Sequence, residues 1–164
     1  MTRVFFDTEF TELGIDPRLI SIGLVSEDGR REFYAELADT YQPKDCGDFA
    51  REAVLPLLQG DAVCLTWAEL GRRLGAWLEA FGEPVKLTTD SMAWDWPWIQ
   101  EVFGDLDTWP ANVDGKPEIL GQSAEFCQAV EDAFAAGLRR HHALDDAKAN
   151  RIGWLASRGN VPSV

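Results

Sequence analysis

Three strand-like segments lie within the first 37 residues of the chain, and their order restricts the folds available to it. Residues 3–8 (RVFFDT) and 19–25 (LISIGLV) are continuous apolar runs, the pattern of strands buried on both faces of a sheet. Residues 32–37 (EFYAEL) alternate between apolar and polar side chains, as an edge strand does, and follow an Asp28-Gly29 hairpin turn. The sequence therefore predicts an antiparallel meander at the N-terminus.

Helix signals dominate the chain after the meander. Thr66 and Glu69 form a capping-box pattern, and the apolar face that follows them ends at Gly82. A further helix is expected over residues 48–58, with Pro56 bending or ending it. The remaining expected elements are helices from Ser123 to Gly137 and from Ala143 to Ala156, a strand at 85–89, and a short strand within 104–121.

The order of these elements predicts an α/β fold. Three strands followed by helices that alternate with one or two more strands indicate a mixed β-sheet with helices on its faces, an antiparallel N-terminal meander plus parallel strands. The 164 residues suit a single domain, 1–164, and no linker-like segment divides them.

Composition restricts the partners and the compartment. A net charge of −13 argues against a protein that holds long duplex DNA through its phosphates, and suits metal cations, small ligands or short strand ends. No apolar run approaches the ~18 residues of a membrane helix, and the first residues lack a signal-peptide pattern. The three cysteines, which are odd in number and lack zinc-site spacing, indicate reduced and mostly buried thiols in the cytoplasm.

Two carboxylates stand where the first strand leaves the core. Asp7 and Glu9 are two positions apart, so their side chains point to the same face, about 6.6 Å apart along the strand. Burying two like charges among Phe5, Phe6 and Phe10 is costly unless a cation compensates them. The alternative is a pair of polar residues at a strand end, and the spacing alone leaves both open.

Further acids follow later elements. Asp95 comes just after the expected fourth strand; alternatively, it caps a helix that has Pro97 in its first turn. Asp90, at the end of that strand, is a rival for the same role. Asp145 and Asp146 lie in the first turn of the last helix, where the helix dipole favours carboxylates.

Together these acids predict a site for hard divalent cations. Two acids on the first strand, one after the fourth and one on the last helix supply the oxygen ligands that Mg²⁺ or Mn²⁺ prefers. Two such ions ~4 Å apart can activate a water and stabilise the leaving oxygen in phosphodiester hydrolysis. The only two histidines of the chain, His141 and His142, precede the last helix, and an imidazole with a pKa of about 6.5 suits removal of the water's proton.

Three motifs give the chain a resemblance to a known family. They are residues 7–9 (DTE), 94–95 (WD) and 141–147 (HHALDDA), whose order and spacing extend over nearly the whole chain. In these motifs the sequence resembles the DEDDh 3′–5′ exonucleases of the ribonuclease H-like fold. Residues 5–10 (FFDTEF) and 19–23 (LISIG) are most similar to a small bacterial exoribonuclease family first described in mycobacteria.

The resemblance implies a role for each motif residue. The family pattern places the catalytic histidine five residues before a metal-binding aspartate, which selects His141 as the general base, whereas helical spacing selects His142. Ser91 stands where relatives often have Asn, and this departure concerns substrate contact more than the metal site. The implied ligands of two Mg²⁺ or Mn²⁺ ions are Asp7, Glu9, Asp95 and Asp146. These four acids and His141 are the implied catalytic residues.

The implied function is that of a cytoplasmic 3′–5′ exoribonuclease acting on 3′ ends of single-stranded RNA, with single-stranded DNA as a further substrate and a homodimer as the assembly. The alternatives are a DNA exonuclease of proofreading type and a catalytically silent binding module, although such modules usually lose an acid or the histidine. By position, Phe10 and Trp94 are candidates for base stacking and Arg140 for phosphate contact. Core packing for Trp94 and a solvated helix face for Arg140 stay open.

Overall fold

A six-stranded mixed sheet forms the centre of the protein in the computed structural model, which describes residues 1–104 and 108–159. The strands are β1 (Thr2–Phe10), β2 (Leu19–Ser26), β3 (Glu32–Leu37), β4 (Cys64–Leu65), β5 (Val85–Thr89) and β6 (Glu118–Ile119). Their order across the sheet is β4-β3-β2-β1-β5-β6. The β1–β2 and β2–β3 pairs are antiparallel and the other pairs parallel, which confirms the predicted meander plus parallel strands.

Helices cover both faces of this sheet. Phe5 and Phe6 are neighbours on β1 and point to opposite faces, so each enters a different hydrophobic cluster. The helices α1 (Trp67–Glu79) and α2 (Met92–Gly104) pack on the Phe6 face, and α3 (Ala124–Ala135) and α4 (Ala143–Ser157) pack on the Phe5 face. Within the described residues no helix is long and apolar enough to cross a membrane.

The segment 48–58 is helical, as expected, but it is not a regular α-helix. It contains a π-helical stretch at Ala50–Val54 and a 3₁₀ turn at Leu55–Leu57. Pro56 lies in the 3₁₀ turn, and because proline has no N–H to donate, it prevents a regular α-helix there. The expected helical segment is present, and its helix type changes at the turn that contains Pro56.

The cysteines are less buried than expected. All three are free thiols, but Cys46 is buried, Cys64 is half-buried and Cys127 is exposed. The expectation that most of them are buried is therefore wrong. Cys127 follows Phe126 on α3, and of these two neighbours only Phe126 is buried.

A close approach between α4 and the sheet brings the last helix beside the first strand. A Cβ atom built on Gly23 would lie 2.2 Å from the backbone nitrogen of Leu144, so no larger residue fits there without moving the helix. Gly23 pairs with Asp7 across the β1–β2 ladder. The missing side chain at Gly23 thus lets the N-terminus of α4 lie beside the carboxylates of β1.

Candidate active site

The acids and one histidine of the three motifs converge on one cleft. The converging residues are Asp7 and Glu9 on β1, Asp95 on α2, Asp146 on α4 and His141 in the loop before α4, and all five line a cavity of about 290 Å³. Their ligand atoms form two groups, each with atoms within 4.8 Å of one another. Glu9, His141 and Asp146 make the first group; Asp7, Asp95 and Asp90 make the second.

Asp95 is tied to the sheet. Its Oδ1 accepts hydrogen bonds from the Thr8 backbone N–H at 3.2 Å and from Thr8 Oγ1 at 2.6 Å, and its Oδ2 accepts one from Thr89 Oγ1 at 2.5 Å. The helix begins at Met92, so Asp95 lies inside its first turn and the alternative reading as an N-cap is wrong. The carboxylate points to the strands rather than to its own helix because three donors meet it there.

Asp90 also reaches the second group. It follows β5 directly, and its Oδ1 accepts a hydrogen bond from Asn150 Nδ2 on α4 at 2.8 Å. The two rivals differ in their surroundings: Asp95 is buried and bound by three donors from the sheet, whereas Asp90 is half-buried and held by one amide. Both Asp90 and Asp95 lie close to Asp7, so distance does not decide which of them is the ligand. The matched substitutions Asp90→Asn and Asp95→Asn distinguish them.

The two histidines occupy different environments. His141 lies in the cleft beside Glu9 and Asp146, and its backbone N–H donates to Asp146 Oδ2 at 2.8 Å. Burial, and next the charge of Arg140, lowers the His141 pKa, which favours the neutral imidazole that a general base requires. His142 is buried on the other side of the loop, where its ring stacks on a tyrosine and caps α4. The structure places His141 at the carboxylates and His142 away from them.

The pKa values of the cleft carboxyls are raised above their ordinary values. Burial, followed by the charges of Asp95 and Asp146, raises the Asp7 pKa well above its usual value. Burial is also the largest cause at the other three acids, with pKa values of about 8 for Glu9, about 7 for Asp146 and about 6 for Asp95. The threonine hydrogen bonds moderate the rise at Asp95. Clustered oxygen donors that are costly to ionise together are suited to hold Mg²⁺ or Mn²⁺ in place of protons.

We expect the metal-free protein to lose stability as the pH rises. These pKa values are raised in the folded state, so their contribution to stability is fully present below the unfolded values of about 4 and is lost as the pH rises through about 6 to 8. Thermal unfolding in a chelator should therefore give a lower Tm at about pH 8 than at about pH 5. Saturating Mn²⁺ should remove the difference, because the ion then compensates the charges. The expectation would be contradicted if the Tm measured in the chelator rose from about pH 5 to about pH 8, equally in the wild type and in Asp7→Asn.

An aromatic pair forms one rim of the cleft. Phe10 follows a bulge in β1, and its ring stacks on Trp94 with centroids 5.9 Å apart at 20°. Trp94 is 43% exposed, so this expected stacking candidate has a surface available, whereas Trp98 is buried in the core. The structure thus brings Phe10 and Trp94 together beside the carboxylates.

Basic side chains near the cleft are engaged within the protein. Arg140 lines the cleft, but its guanidinium bonds to both oxygens of Glu131 at 2.8 Å and lies over the Phe134 ring at 4.2 Å. Other basic residues near the third motif also have partners, as Lys148 does in Glu32. A phosphate at Arg140 would therefore share the guanidinium with Glu131.

Several residues of the cleft were missed by the sequence analysis. Thr8, Thr89 and Asn150 hold carboxylates, and Phe49, which is 62% exposed, contacts the His141 ring edge-on with centroids 4.8 Å apart. The threonines carried no signal beyond strand propensity. Phe49 lies in the segment expected to be helical, and the sequence carries no signal for its contact with His141.

The comparison with known sequences gives a partial match. No protein-family model matches the chain. Two proteins from different strains of Mycobacterium tuberculosis, each named 3′–5′ exoribonuclease, are 50% identical to it over 56 residues. The match includes 34% of this chain and 32% of each relative, so it spans about a third of the curated proteins.

Solved structures match over nearly the whole chain. Pop2p of S. pombe, in a Mg²⁺- and Mn²⁺-bound form, aligns with a TM-score of 0.60 and 17% identity over 99% of this chain and 85% of its own. Exonuclease I aligns with a TM-score of 0.59 and 12% identity over 95% of this chain and 41% of its own. The nuclease domain of 3′hExo, a DEDDh family member bound to rAMP, aligns with a TM-score of 0.56 and 14% identity over 98% of this chain and 94% of its own. At these identities the likeness shows the fold, and the expected ribonuclease H-like α/β sheet is confirmed. The chain is a homologue, over a third of its length, of the mycobacterial 3′–5′ exoribonucleases, and it has the ribonuclease H-like fold of Pop2p, exonuclease I and 3′hExo.

Proposed function

We propose that this protein is a metal-dependent 3′–5′ exonuclease that hydrolyses single-stranded RNA from its 3′ end. The observation that carries the proposal is the meeting of four carboxylates and a histidine, from three separate parts of the chain, in one cleft. The names of the two partial relatives support RNA as the substrate, as does the rAMP bound to 3′hExo. The silent-module alternative does not explain why all five motif residues are present and adjacent.

The two groups of ligand atoms would hold two Mg²⁺ or Mn²⁺ ions. Asp7 and Asp95 belong to one group and Glu9 and Asp146 to the other, and their oxygen donors fit both cations. When bound, such a pair of ions supplies stabilisation for the charge that develops on the attacking and leaving oxygens. The resemblance to Pop2p, whose structure contains Mg²⁺ and Mn²⁺, agrees with this choice of cations.

His141 would act as the general base. As a water oxygen bonds to phosphorus and the bond from phosphorus to the 3′ oxygen of the preceding nucleotide breaks, an imidazole nitrogen of His141 takes the water's proton. Its lowered pKa keeps the imidazole able to accept that proton at neutral pH. The product is a nucleoside 5′-monophosphate.

The rim of the cleft would select a strand end. The exposed face of Trp94, backed by Phe10, can stack on a base, and Arg140 can approach a phosphate from the loop before α4. A cavity of about 290 Å³ in a chain of net charge −13 suits one terminal nucleotide better than a duplex.

We expect single-stranded 3′ ends to be degraded and blunt duplexes to be spared. RNA, DNA and blunt RNA duplex of equal sequence, each labelled at the 5′ end, should be followed with Mg²⁺ and with Mn²⁺. The RNA strand should give a ladder that shortens from the 3′ end, and the duplex should react about tenfold or more slowly, since a paired base cannot gain the ~1–3 kcal/mol of stacking. Faster degradation of the DNA strand would favour the DNA exonuclease alternative. Efficient cleavage of duplex or circular RNA would rule out an exonuclease of single strands.

Three further expectations stay predictions. They are a single exonuclease domain over residues 1–164, a homodimer and a cytoplasmic location. Sedimentation of the purified chain tests the homodimer directly.

A thermal shift with Mn²⁺ separates a working metal site from the silent binding module, because an ion that binds the folded state raises the Tm.

A further inference from the structure

His141 has a backbone conformation that few non-glycine residues adopt. Its φ is +67°, in the left-handed region where the side chain of a non-glycine residue is crowded. Such a conformation persists only where the surrounding structure enforces it. The contacts of His141 itself are few: its N–H bonds to Asp146 and its ring touches the exposed Phe49. The enforcement must come from the neighbouring residues.

His142, the next residue, is fixed on three sides. Its side chain is fully buried, and its ring stacks on Tyr34 with centroids 4.5 Å apart at 21°. Its Nδ1 accepts the Asp145 backbone N–H at 3.4 Å and so caps α4. Its Nε2 lies 3.1 Å from the amide nitrogen of Gln59. Because Nδ1 accepts a hydrogen bond, the neutral ring of His142 carries its proton on Nε2. This N–H needs an acceptor, so we assign the side-chain amide of Gln59 with its oxygen, rather than its nitrogen, facing Nε2.

A buried carboxylate on β3 anchors both partners of this ring. Glu36 is 2% exposed; its Oε1 accepts hydrogen bonds from the Tyr34 hydroxyl at 2.8 Å and from the Gln59 backbone N–H at 2.6 Å. Its Oε2 accepts the Gly60 N–H at 2.9 Å. These donors compensate the burial of the carboxylate, so the arrangement is internally satisfied. We call Glu36, Tyr34, Gln59 and His142 the His142 clamp.

The other end of the loop is tied to the same turn of α4. Asp145 Oδ2 accepts the Arg139 backbone N–H at 3.0 Å and Arg139 Nε at 2.7 Å. The His142 N–H donates to the Arg139 carbonyl at 3.3 Å. Both ends of the short loop are therefore fixed, and the conformation of His141 between them follows from where those ends are held.

We propose that His142 is a positioning residue, which through its clamp holds the backbone of His141 in the left-handed conformation that points the base into the cleft. This rests on the proposed function, because it assigns the clamp a role in the same reaction. None of the clamp residues lines the cleft, so the clamp has no direct contact with the reacting groups.

Two clamp variants and one matched control test the role. His142→Asn keeps an oxygen that can cap α4 but loses the stacked ring, and Tyr34→Leu removes the stack from outside the loop. Each should lower kcat on single-stranded RNA by about 10²-fold, the loss that a displacement of about 1 Å can cause, with KM and the Mn²⁺ titration unchanged. Ser123→Ala removes the cap of α3, where Ser123 Oγ accepts the Phe126 N–H at 3.2 Å, and should lower the Tm but leave kcat unaltered.

A double-mutant cycle distinguishes positioning from general destabilisation. In a His141→Ala background, single-turnover rates should show no further loss on adding His142→Asn, because the group that the clamp positions is already gone. A merely structural role would multiply the two losses. Multiplied losses, or a normal kcat for both clamp variants, would overturn the clamp while the proposed function stands. A normal rate for His141→Ala alone would instead overturn the assigned base, and with it the clamp.

Discussion

Asp95→Asn and Asp7→Asn are each expected to abolish RNA hydrolysis, by about 10³-fold or more, while the protein stays folded. Each removes a charged oxygen ligand from the group that also contains Asp90, and charge stabilisation by a bound ion is worth several kcal/mol at the transition state. Each also removes a carboxylate from a buried, like-charged cluster, so the metal-free variants should have a Tm equal to or above that of wild type at about pH 8. Single-turnover rates and thermal unfolding with and without Mn²⁺ measure both effects.

Two further substitutions serve as controls for this prediction. Asp48→Asn removes an exposed carboxylate, 93% accessible, and should change neither rate nor Tm. Asp90→Asn makes the same chemical change beside Asp7 and should cost less than Asp95→Asn, because an amide can still accept the hydrogen bond from Asn150. If Asp90→Asn is inactive and Asp95→Asn turns over normally, the two acids have exchanged roles and the second motif has been aligned on the wrong residue.

The elements that could be predicted are those whose signal is local. The strand runs of the meander, the Thr66–Glu69 capping box of α1 and the Ser123 cap of α3 each depend on residues a few positions apart, and the structure contains all of them. The segment 48–58 shows the limit of such signals. A helix that Pro56 bends or ends was expected there, but the helix type depends on how backbone donors are satisfied around Pro56.

The site could be predicted as a set of residues but not as an arrangement. The motifs named the acids, whereas the donors that orient Asp95 come from Thr8, 87 positions away, and from Thr89. The contact between Gln59 and His142 joins residues 83 positions apart. Neither contact leaves a pattern in a single sequence, because the first joins α2 to β1 and β5 and the second joins the residue before α4 to a segment far earlier in the chain. The choice between the two histidines came from the resemblance, and the structure adds the physical difference between a cleft residue and a buried cap.

His141→Ala is expected to slow hydrolysis by at least about 10²-fold, the usual contribution of a positioned general base. The base must be deprotonated to act, so the wild-type rate should rise with pH through the His141 pKa, which lies below its ordinary value. With Mn²⁺ saturating, this acid limb should flatten in the variant. The ring lies within 4.8 Å of Glu9 and Asp146, so it is close enough to be a ligand; a base should nevertheless leave the Mn²⁺ titration unchanged, because the hard cation is held by oxygens.

The corresponding change at His142 completes this test. If the clamp is correct, His142→Ala also lowers kcat, so a slow His142 variant does not by itself contradict His141 as the base. The decisive comparison is the acid limb, because a displaced His141 still titrates, whereas an absent one does not. His142→Ala should therefore retain a pH-dependent rate at reduced amplitude, and His141→Ala should lose the dependence. A normal rate for His141→Ala combined with an inactive His142→Ala would show that helical spacing, which pairs His142 with Asp146, identifies the base.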